Sequence, residues 1–277
     1  MSMPPAAPLS YLFVPGNVPE RFAKALASGA DRVIIDLEDA VSPSGKAAAR
    51  EAIAAWMSSA NEEIRGKLLI RINDASTGWY KDDLQLLRQV RAACVMIPKC
   101  ESRRQLADVL GPLGVGATAL PLVETARGLL AALDLATAPG IARLAFGSLD
   151  YMADLDIPTD SPALQHAAIQ LAVASRAAGL PPPVAGVTPD IDADRVAADM
   201  AQARRLGFGA KMCIHPAQVA AVHRALRPGA EEQAWAQRVL IASRAAGGGA
   251  IQLDGKMVDR PVILKAERIL ALAARIP

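Results

Sequence analysis

Nowhere does the chain carry an uninterrupted apolar stretch long enough to span a bilayer, so no membrane partner is expected. It also lacks a basic stripe. Its 30 lysines and arginines are interspersed with 28 acids for a formal charge of +2, which speaks against nucleic acid and favours small-molecule partners. Histidine is limited to three residues, and no His/Cys cluster has zinc spacing. A Walker A loop and a G-x-S-x-G elbow are absent too, so phosphate-loop and serine-hydrolase chemistry lack their usual anchors. The three cysteines, Cys94, Cys100 and Cys213, are odd in number, and Cys94 and Cys213 lie in strand-like runs. Residues 1–9 have neither the cationic start nor the apolar core of a secretion signal, so reduced thiols in a cytoplasmic protein are expected.

What the sequence does have is a repeated pattern of apolar runs that stop at ionisable residues. Val33-Ile34-Ile35 runs into Asp36, Glu38 and Asp39; Leu68-Leu69-Ile70 into Arg71 and Asn73; Val95-Met96-Ile97 into Lys99 and Glu101. Residues 120–123 run into Glu124, and Leu144-Ala145-Phe146 into Asp150. Parallel strands covered on both faces read as continuous hydrophobic runs, and in α/β barrels the chemistry sits at the strands' C-terminal ends. Strands are expected near 11–14, 32–37, 67–72, 93–98, 118–123, 143–146, 184–187 and 210–214, with helical signals between them. Eight strands close a (β/α)8 TIM barrel, and 277 residues with 52% hydrophobic content suit one such domain. Residues 1–226 form that barrel in this reading, and 227–277 form a C-terminal helical extension: a helix over 230–246, a flexible Gly247-Gly248-Gly249 break, and a helix over 263–275.

Each charged strand end has a structural and a chemical reading. Glu124 is either a helix-starting carboxylate or a metal ligand, and Asp150 is either an N-cap or Asx-turn residue or a second ligand. Two carboxylates on consecutive strand ends point into one mouth, and two carboxylates plus waters are what Mg²⁺ accepts. Arg71 either pairs with Asp36 or Glu38, or forks toward a substrate carboxylate or a developing oxyanion. Lys99 reads as a solvated strand end rather than a Schiff-base nucleophile. His215 is an acid or base, or a turn residue bonded to backbone.

At these residues the chain resembles the HpcH/HpaI aldolase and citrate lyase β-subunit-like family. The resemblance is carried by residues 11–17 (YLFVPGN), 36–41 (DLEDAV), 71–73 (RIN), 98–99 (PK), 124–126 (ETA), 146–150 (FGSLD) and 214–216 (IHP), in order along nearly the whole chain. It implies a TIM-barrel, Mg²⁺-dependent lyase that breaks or makes a carbon–carbon bond between an acyl-CoA thioester and a 2-oxo acid. Such a lyase takes 3-hydroxyacyl-CoA substrates such as malyl-CoA or citramalyl-CoA and works as a homo-oligomer, a trimer or hexamer. By the same resemblance Glu124 and Asp150 hold the metal, and Arg71 contacts the substrate. Phe13, Val14 and Lys24 contact the CoA portion, with Ile214 and His215 at a further ligand stretch. Val18 stands where some members carry an arginine, a loss that Arg21 or Lys46 would offset. Residues 254–261 (DGKMVDRP) resemble a C-terminal lid whose aspartate, here Asp259, reaches a neighbouring subunit's site as the catalytic acid or base. The alternatives are a citrate lyase β-like subunit acting on an acyl-carrier-protein thioester and a class II 2-oxo-acid aldolase acting on free aldehydes.

Overall fold

The computed structural model describes residues 7–245 and 251–276. Eight parallel strands, β1 (Ser10–Pro15), β2 (Arg32–Asp36), β3 (Leu68–Arg71), β4 (Cys94–Ile97), β5 (Thr118–Val123), β6 (Ala145–Phe146), β7 (Val184–Ala185) and β8 (Ala210–Cys213), close into a barrel in sequence order. β1 pairs with both β2 and β8, which completes the circle and leaves no free edge. Helices follow the strands, as the alternating pattern predicts. Among the described residues no helix is long and apolar enough to cross a membrane.

Alternate strand residues fill the barrel. Tyr11, Ile34, Leu69, Met96, Leu120, Leu122, Ala145, Val184, Ala210 and Met212 form one buried cluster inside it, while the residues between them face the helices. Register then places the chemistry. Asp36 and Arg71 are Cα partners at the ends of β2 and β3. Val123 and Phe146 are partners at the ends of β5 and β6, so Glu124 and Gly147 emerge side by side.

Polar groups brace the outer layer. Asp83, in the helix Tyr80–Val90, is fully buried. It accepts from the Asn73 backbone N–H at 2.8 Å and from Asn73 Nδ2 at 2.6 Å, and it pairs with Arg50 at 3.0 Å. Lys46, expected as a possible CoA contact, is instead buried, donating to the carbonyls of Leu37 and Glu38 at 2.6 and 2.7 Å with Nζ over the Trp79 ring. Its ammonium splints the loop after β2 and has no role at a solvent-facing groove.

The chain divides into a unit ending at Val222 and a second beginning at His223. The second unit has its own core, in which Ala236 and Val239 of the helix Ala230–Ala245 pack with Val258 and with Ala266 and Ile269 of the helix Arg260–Ala273. It also contains an antiparallel hairpin, β9 (Ile251–Leu253) and β10 (Lys256–Val258), which the sequence reading did not anticipate. Asp254 and Gly255 turn it with φ of 51° and 75°, the left-handed pair that an Asp-Gly two-residue hairpin loop adopts. The expected Gly247–Gly249 break lies outside the described residues.

Asp83→Ala should leave the Asn73 amide groups and Arg50 without their buried acceptor. A cost of about 3 kcal/mol is expected, read as a lowered midpoint in urea with the m-value unchanged.

Candidate active site

The C-terminal ends of the strands enclose a cavity of about 360 Å³ whose lining includes Phe13, Asp36, Arg71, Glu124, Asp150 and Val187. The structure thus brings Glu124, Asp150 and Arg71 to one mouth. A groove of about 410 Å³ adjoins it, lined by Phe13, Val14, Arg21, Lys24, Ile214 and His215 among others. Phe13, Pro15 and Ile214 line both spaces, so cavity and groove are neighbours that share a wall. All five residues expected at a cofactor groove therefore meet in one place.

Arg71 makes the ion pair that its structural reading requires. Its Nε and Nη2 donate to the two carboxylate oxygens of Asp36, both at 2.7 Å. Nη1 lies 2.8 Å from Glu38 and 3.2 Å from Asp39, and the guanidinium stacks on Phe13 at 4.8 Å. Burial opposes the positive charge, yet the carboxylates, Asp36 foremost, hold the guanidinium's pKa above its ordinary value. The fork is spent on Asp36 and Nη1 is held by Glu38 and Asp39, so a ligand reaching Nη1 replaces one of these carboxylates.

Glu124 is not the helix-starting residue. Thr125 caps the helix Ala126–Leu130 by accepting from the Gly128 N–H, and the Glu124 carboxylate turns inward, 2% exposed. Its Oε1 accepts from the Lys99 N–H at 2.8 Å. Lys99 holds φ at 42°, a left-handed conformation that aims this N–H at the carboxylate, while its side chain is exposed. Asp150 is likewise no cap: Gly147 occupies that position of the helix Ser148–Leu155, and Asp150 sits exposed in the first turn.

Carboxylates outnumber cations at this mouth, and the titration behaviour reflects it. Burial pushes Glu124 up to about 8, with the charges of Glu38 and Asp150 adding to the shift. Burial likewise raises Glu38 to about 7 against the pull of Arg71, and Glu38 Oε2 has no hydrogen-bond donor. Among the described residues no group of three or more His, Cys, Asp or Glu side chains forms a closed metal cage. Two carboxylates with room beside them are the donor set of Mg²⁺, which keeps waters and takes substrate oxygens, so the residues present fit that ion.

His215 takes the backbone-bonded form, its Nδ1 accepting from the Ala217 N–H at 3.2 Å beside the groove. Sequence reasoning missed two supports. Gly147 is required by contact, because a Cβ there would lie 2.4 Å from Glu124 Oε2. Gln218, 1% exposed, accepts from the Ile214 N–H and donates to the carbonyls of Thr188 and Asp190, tying the His215 turn to the segment after β7. Glycine after a strand was a visible signal for the first; nothing local marks the second.

An eight-stranded parallel barrel with paired carboxylates and an arginine at its C-terminal mouth is the architecture of a metal-assisted barrel enzyme. The HpcH/HpaI aldolase/citrate lyase family pattern matches residues 9–216, and the chain belongs to that family. It is 35% identical to a citrate lyase subunit beta-like protein of Deinococcus radiodurans, over 98% of this chain and 99% of that one. It is 30% identical to a (3S)-malyl-CoA thioesterase of Cereibacter sphaeroides, over 96% and 95% of the two chains. Its fold superposes with a TM-score of 0.85, at 35% identity and 97% and 99% coverage, on a crystal structure of CitE from Mycobacterium tuberculosis in complex with magnesium, acetoacetate and coenzyme A.

Glu38 and Glu124 bind protons in the folded chain at pH values where the unfolded chain, with these carboxyls near 4.5, has released them. Their contribution to metal-free stability is therefore present at low pH and lost as pH rises from about 5 to about 8. The Tm should decline across that window and be recovered by Mg²⁺, more strongly at the alkaline end. A flat metal-free profile would overturn the assignment. Gly147→Ala should displace Glu124 and abolish the Mg²⁺-dependent rise in Tm.

Proposed function

We propose that the chain is a Mg²⁺-dependent carbon–carbon lyase that cleaves, or forms, a 3-hydroxyacyl-CoA such as malyl-CoA or citramalyl-CoA, giving an acyl-CoA and a 2-oxo acid. The observation that carries this reading is that the carboxylate-bearing cavity shares the wall of Phe13, Pro15 and Ile214 with the groove beside Lys24 and His215. A thioester lying along the groove brings its acyl end to Arg71 and the carboxylates. Bound by Glu124 and Asp150, Mg²⁺ supplies Lewis acidity and a template for the hydroxy-acid oxygens.

The protein's own groups divide the remaining work. Asp36 holds the Arg71 guanidinium rigid, and when substrate displaces the exposed Asp39 from Nη1 that nitrogen meets the oxo-acid oxygen as charge develops on it. Phe13 supports the guanidinium from below and bounds the groove. Lys24 and Arg21 supply positive charge at the groove for the anionic part of CoA, in place of the arginine that Val18 replaces. The substrate hydroxyl passes its proton to a water in the mouth, its oxygen becomes the oxo-acid carbonyl as the carbon–carbon bond breaks, and that bond's electron pair passes to the thioester as an enolate. Asp259 of an adjacent subunit of a homo-oligomer, trimeric or hexameric, protonates that carbon beneath a lid formed by the extension, which keeps water away. In its own chain Asp259 is the N-cap of the helix Arg260–Ala273, with the Val262 N–H at 3.5 Å.

A hydrolytic second reading, releasing free CoA and a hydroxy acid, is favoured by the relatives named (3S)-malyl-CoA thioesterase. Assays with malyl-CoA and citramalyl-CoA should follow 2-oxo acid and free thiol separately. Oxo acid formed with Mg²⁺ and lost with chelator is the expected result, and thiol without oxo acid from either substrate would overturn the lyase. Activity on free acyl-CoA also argues against a strict acyl-carrier-protein substrate. Glu124→Gln and Asp150→Asn should abolish activity in folded protein.

Arg71→Lys keeps charge but loses both the Asp36 fork and the Nη1 contact, so kcat/KM should fall by about 100-fold or more, measured well below the variant's own Tm. Asp259→Asn is an informative change because asparagine caps a helix as well as aspartate does. It should leave Tm and Mg²⁺ binding intact, yet lose proton exchange at the acetyl-CoA methyl. Mixing it with Arg71→Ala should restore part of the activity once subunit exchange is verified, and no recovery would exclude an inter-subunit role.

A further inference from the structure

Strand β8 alternates like the others. Ala210 and Met212 face the barrel interior, which turns Lys211 outward into the helical layer. There it is only 4% exposed. Its Nζ donates to the Gly186 carbonyl at 2.8 Å, the one hydrogen-bond partner it has among the described residues. An ammonium carries three donors, so two N–H groups of a buried cation are left over. The nearby acid, Asp199, is committed elsewhere: it accepts from Thr188 Oγ1 at 2.7 Å, lies 3.5 Å from Arg195 Nε, and makes no ion pair with Lys211. Burial pulls the Lys211 pKa below its ordinary value, as expected of a charge without a direct counter-ion.

Lys211 lines a cavity of about 590 Å³ between β6–β8 and the helices Ser148–Leu155, Pro162–Ala177 and Ala193–Arg205. Gly186 is packed closely, since a Cβ there would lie 2.4 Å from Ser148 Oγ, and Phe146, Leu164, Leu206 and Phe208 contribute apolar wall. A volume of roughly 300–1,000 Å³ is that of a small-molecule site, and the walls here are mixed, with Arg195, Asp160, Asp199, Gln165 and Gln202 beside the apolar residues. The turn carrying Ser148 and Leu149, with Val187, contributes lining to both this cavity and the catalytic one.

We propose that this cavity is a second binding site, separate from the catalytic mouth, for a monocarboxylate with an apolar body, its carboxylate accepting from Lys211 and its hydrocarbon part lying against Phe146 and Phe208. The charge of the buried ammonium is then neutralised and its spare donors used, while the apolar wall is covered. The site does not depend on the lyase reading.

Octanoate is the probe, octanol the control lacking the carboxylate, and calorimetry or ligand-detected NMR on the full chain with Mg²⁺ is the measurement. Saturable 1:1 binding of octanoate at least tenfold tighter than octanol is expected. Lys211→Met should weaken octanoate binding at least tenfold without lowering Tm, and Glu124→Gln should leave it unchanged. If Lys211→Met does not fold, Leu164→Trp, which fills the cavity from the helix side, should block octanoate in its place. Absence of saturable binding, equal affinity of the folded Lys211→Met variant, full binding by Leu164→Trp, or loss of binding in Glu124→Gln would each overturn the proposal. The last result would place the probe in the catalytic cavity.

Discussion

Arg71 and Asp36 are register partners on adjacent parallel strands, and the two N–H···O bonds between them, each 2.7 Å, organise the upper rim of the barrel. The pair is nearly sealed from solvent, so its Coulomb attraction acts in a medium that screens weakly. Desolvating two charges is expensive, and a buried pair is poor evidence of net stabilisation. Its value here is geometric. A guanidinium forked onto Asp36 and stacked on Phe13 has little freedom left, and whatever approaches Nη1 meets a donor already in position. The splinting of the β2 loop by Lys46 serves the same end, since that loop carries Glu38 and Asp39 to the remaining nitrogen.

A second constraint follows from the count of charges. Asp36, Asp39, Glu124 and Asp150 line the cavity with Arg71, and Glu38 stands close behind. One guanidinium cannot neutralise five carboxylates. Burial, with this excess adding to it, makes Glu38 and Glu124 hold protons up to about 7 and 8, which offsets the excess in part. A divalent cation at Glu124 and Asp150 offsets it better, because it removes the repulsion that raises Glu124 and leaves Asp36 committed to Arg71. The same excess tends to exclude anions from the empty mouth, so an anionic substrate and the metal are expected to bind as a unit.

Much of this arrangement was legible in the sequence because parallel strands announce themselves as apolar runs and the residue after each run is committed to the barrel mouth. Register followed from strand length well enough that Asp36 or Glu38 stood out as partners for Arg71. Contacts between residues distant in sequence and alike in composition were not legible. Nothing local distinguishes Lys46 as a buried splint from Lys46 as a surface cation, and although strand alternation turns Lys211 outward, nothing local shows that helices distant in sequence seal it. The hairpin of β9 and β10 was a different kind of miss. Its Asp254-Gly255 turn lies between alternating residues, a clear signal that helical expectation for the extension overrode.

Departures from local ideality occur in several places, Arg91, Asp156 and Asp254 with positive φ, Ser175 Oγ buried without a partner among the described residues and Lys211 with one acceptor, and a group of them meets at the rim. Lys99 adopts a left-handed φ of 42° that costs a non-glycine residue strain, Glu38 Oε2 is buried with Arg71 Nη1 nearby but no well-formed hydrogen bond, and Glu124 is buried without a cation beside it. All three belong to the same rim. Away from it, the buried acid Asp83 is fully bonded and the barrel interior is mainly apolar. A rim that stores unfavourable terms is tolerated because the barrel beneath supplies stability without depending on it, and the stored terms are of the kind a ligand relieves: an amide aimed at a carboxylate, carboxylates without a cation, a guanidinium with one nitrogen to offer. Relief on binding makes these terms part of the affinity for the metal and the transition state, which is the physical reason for concentrating them where the chemistry occurs.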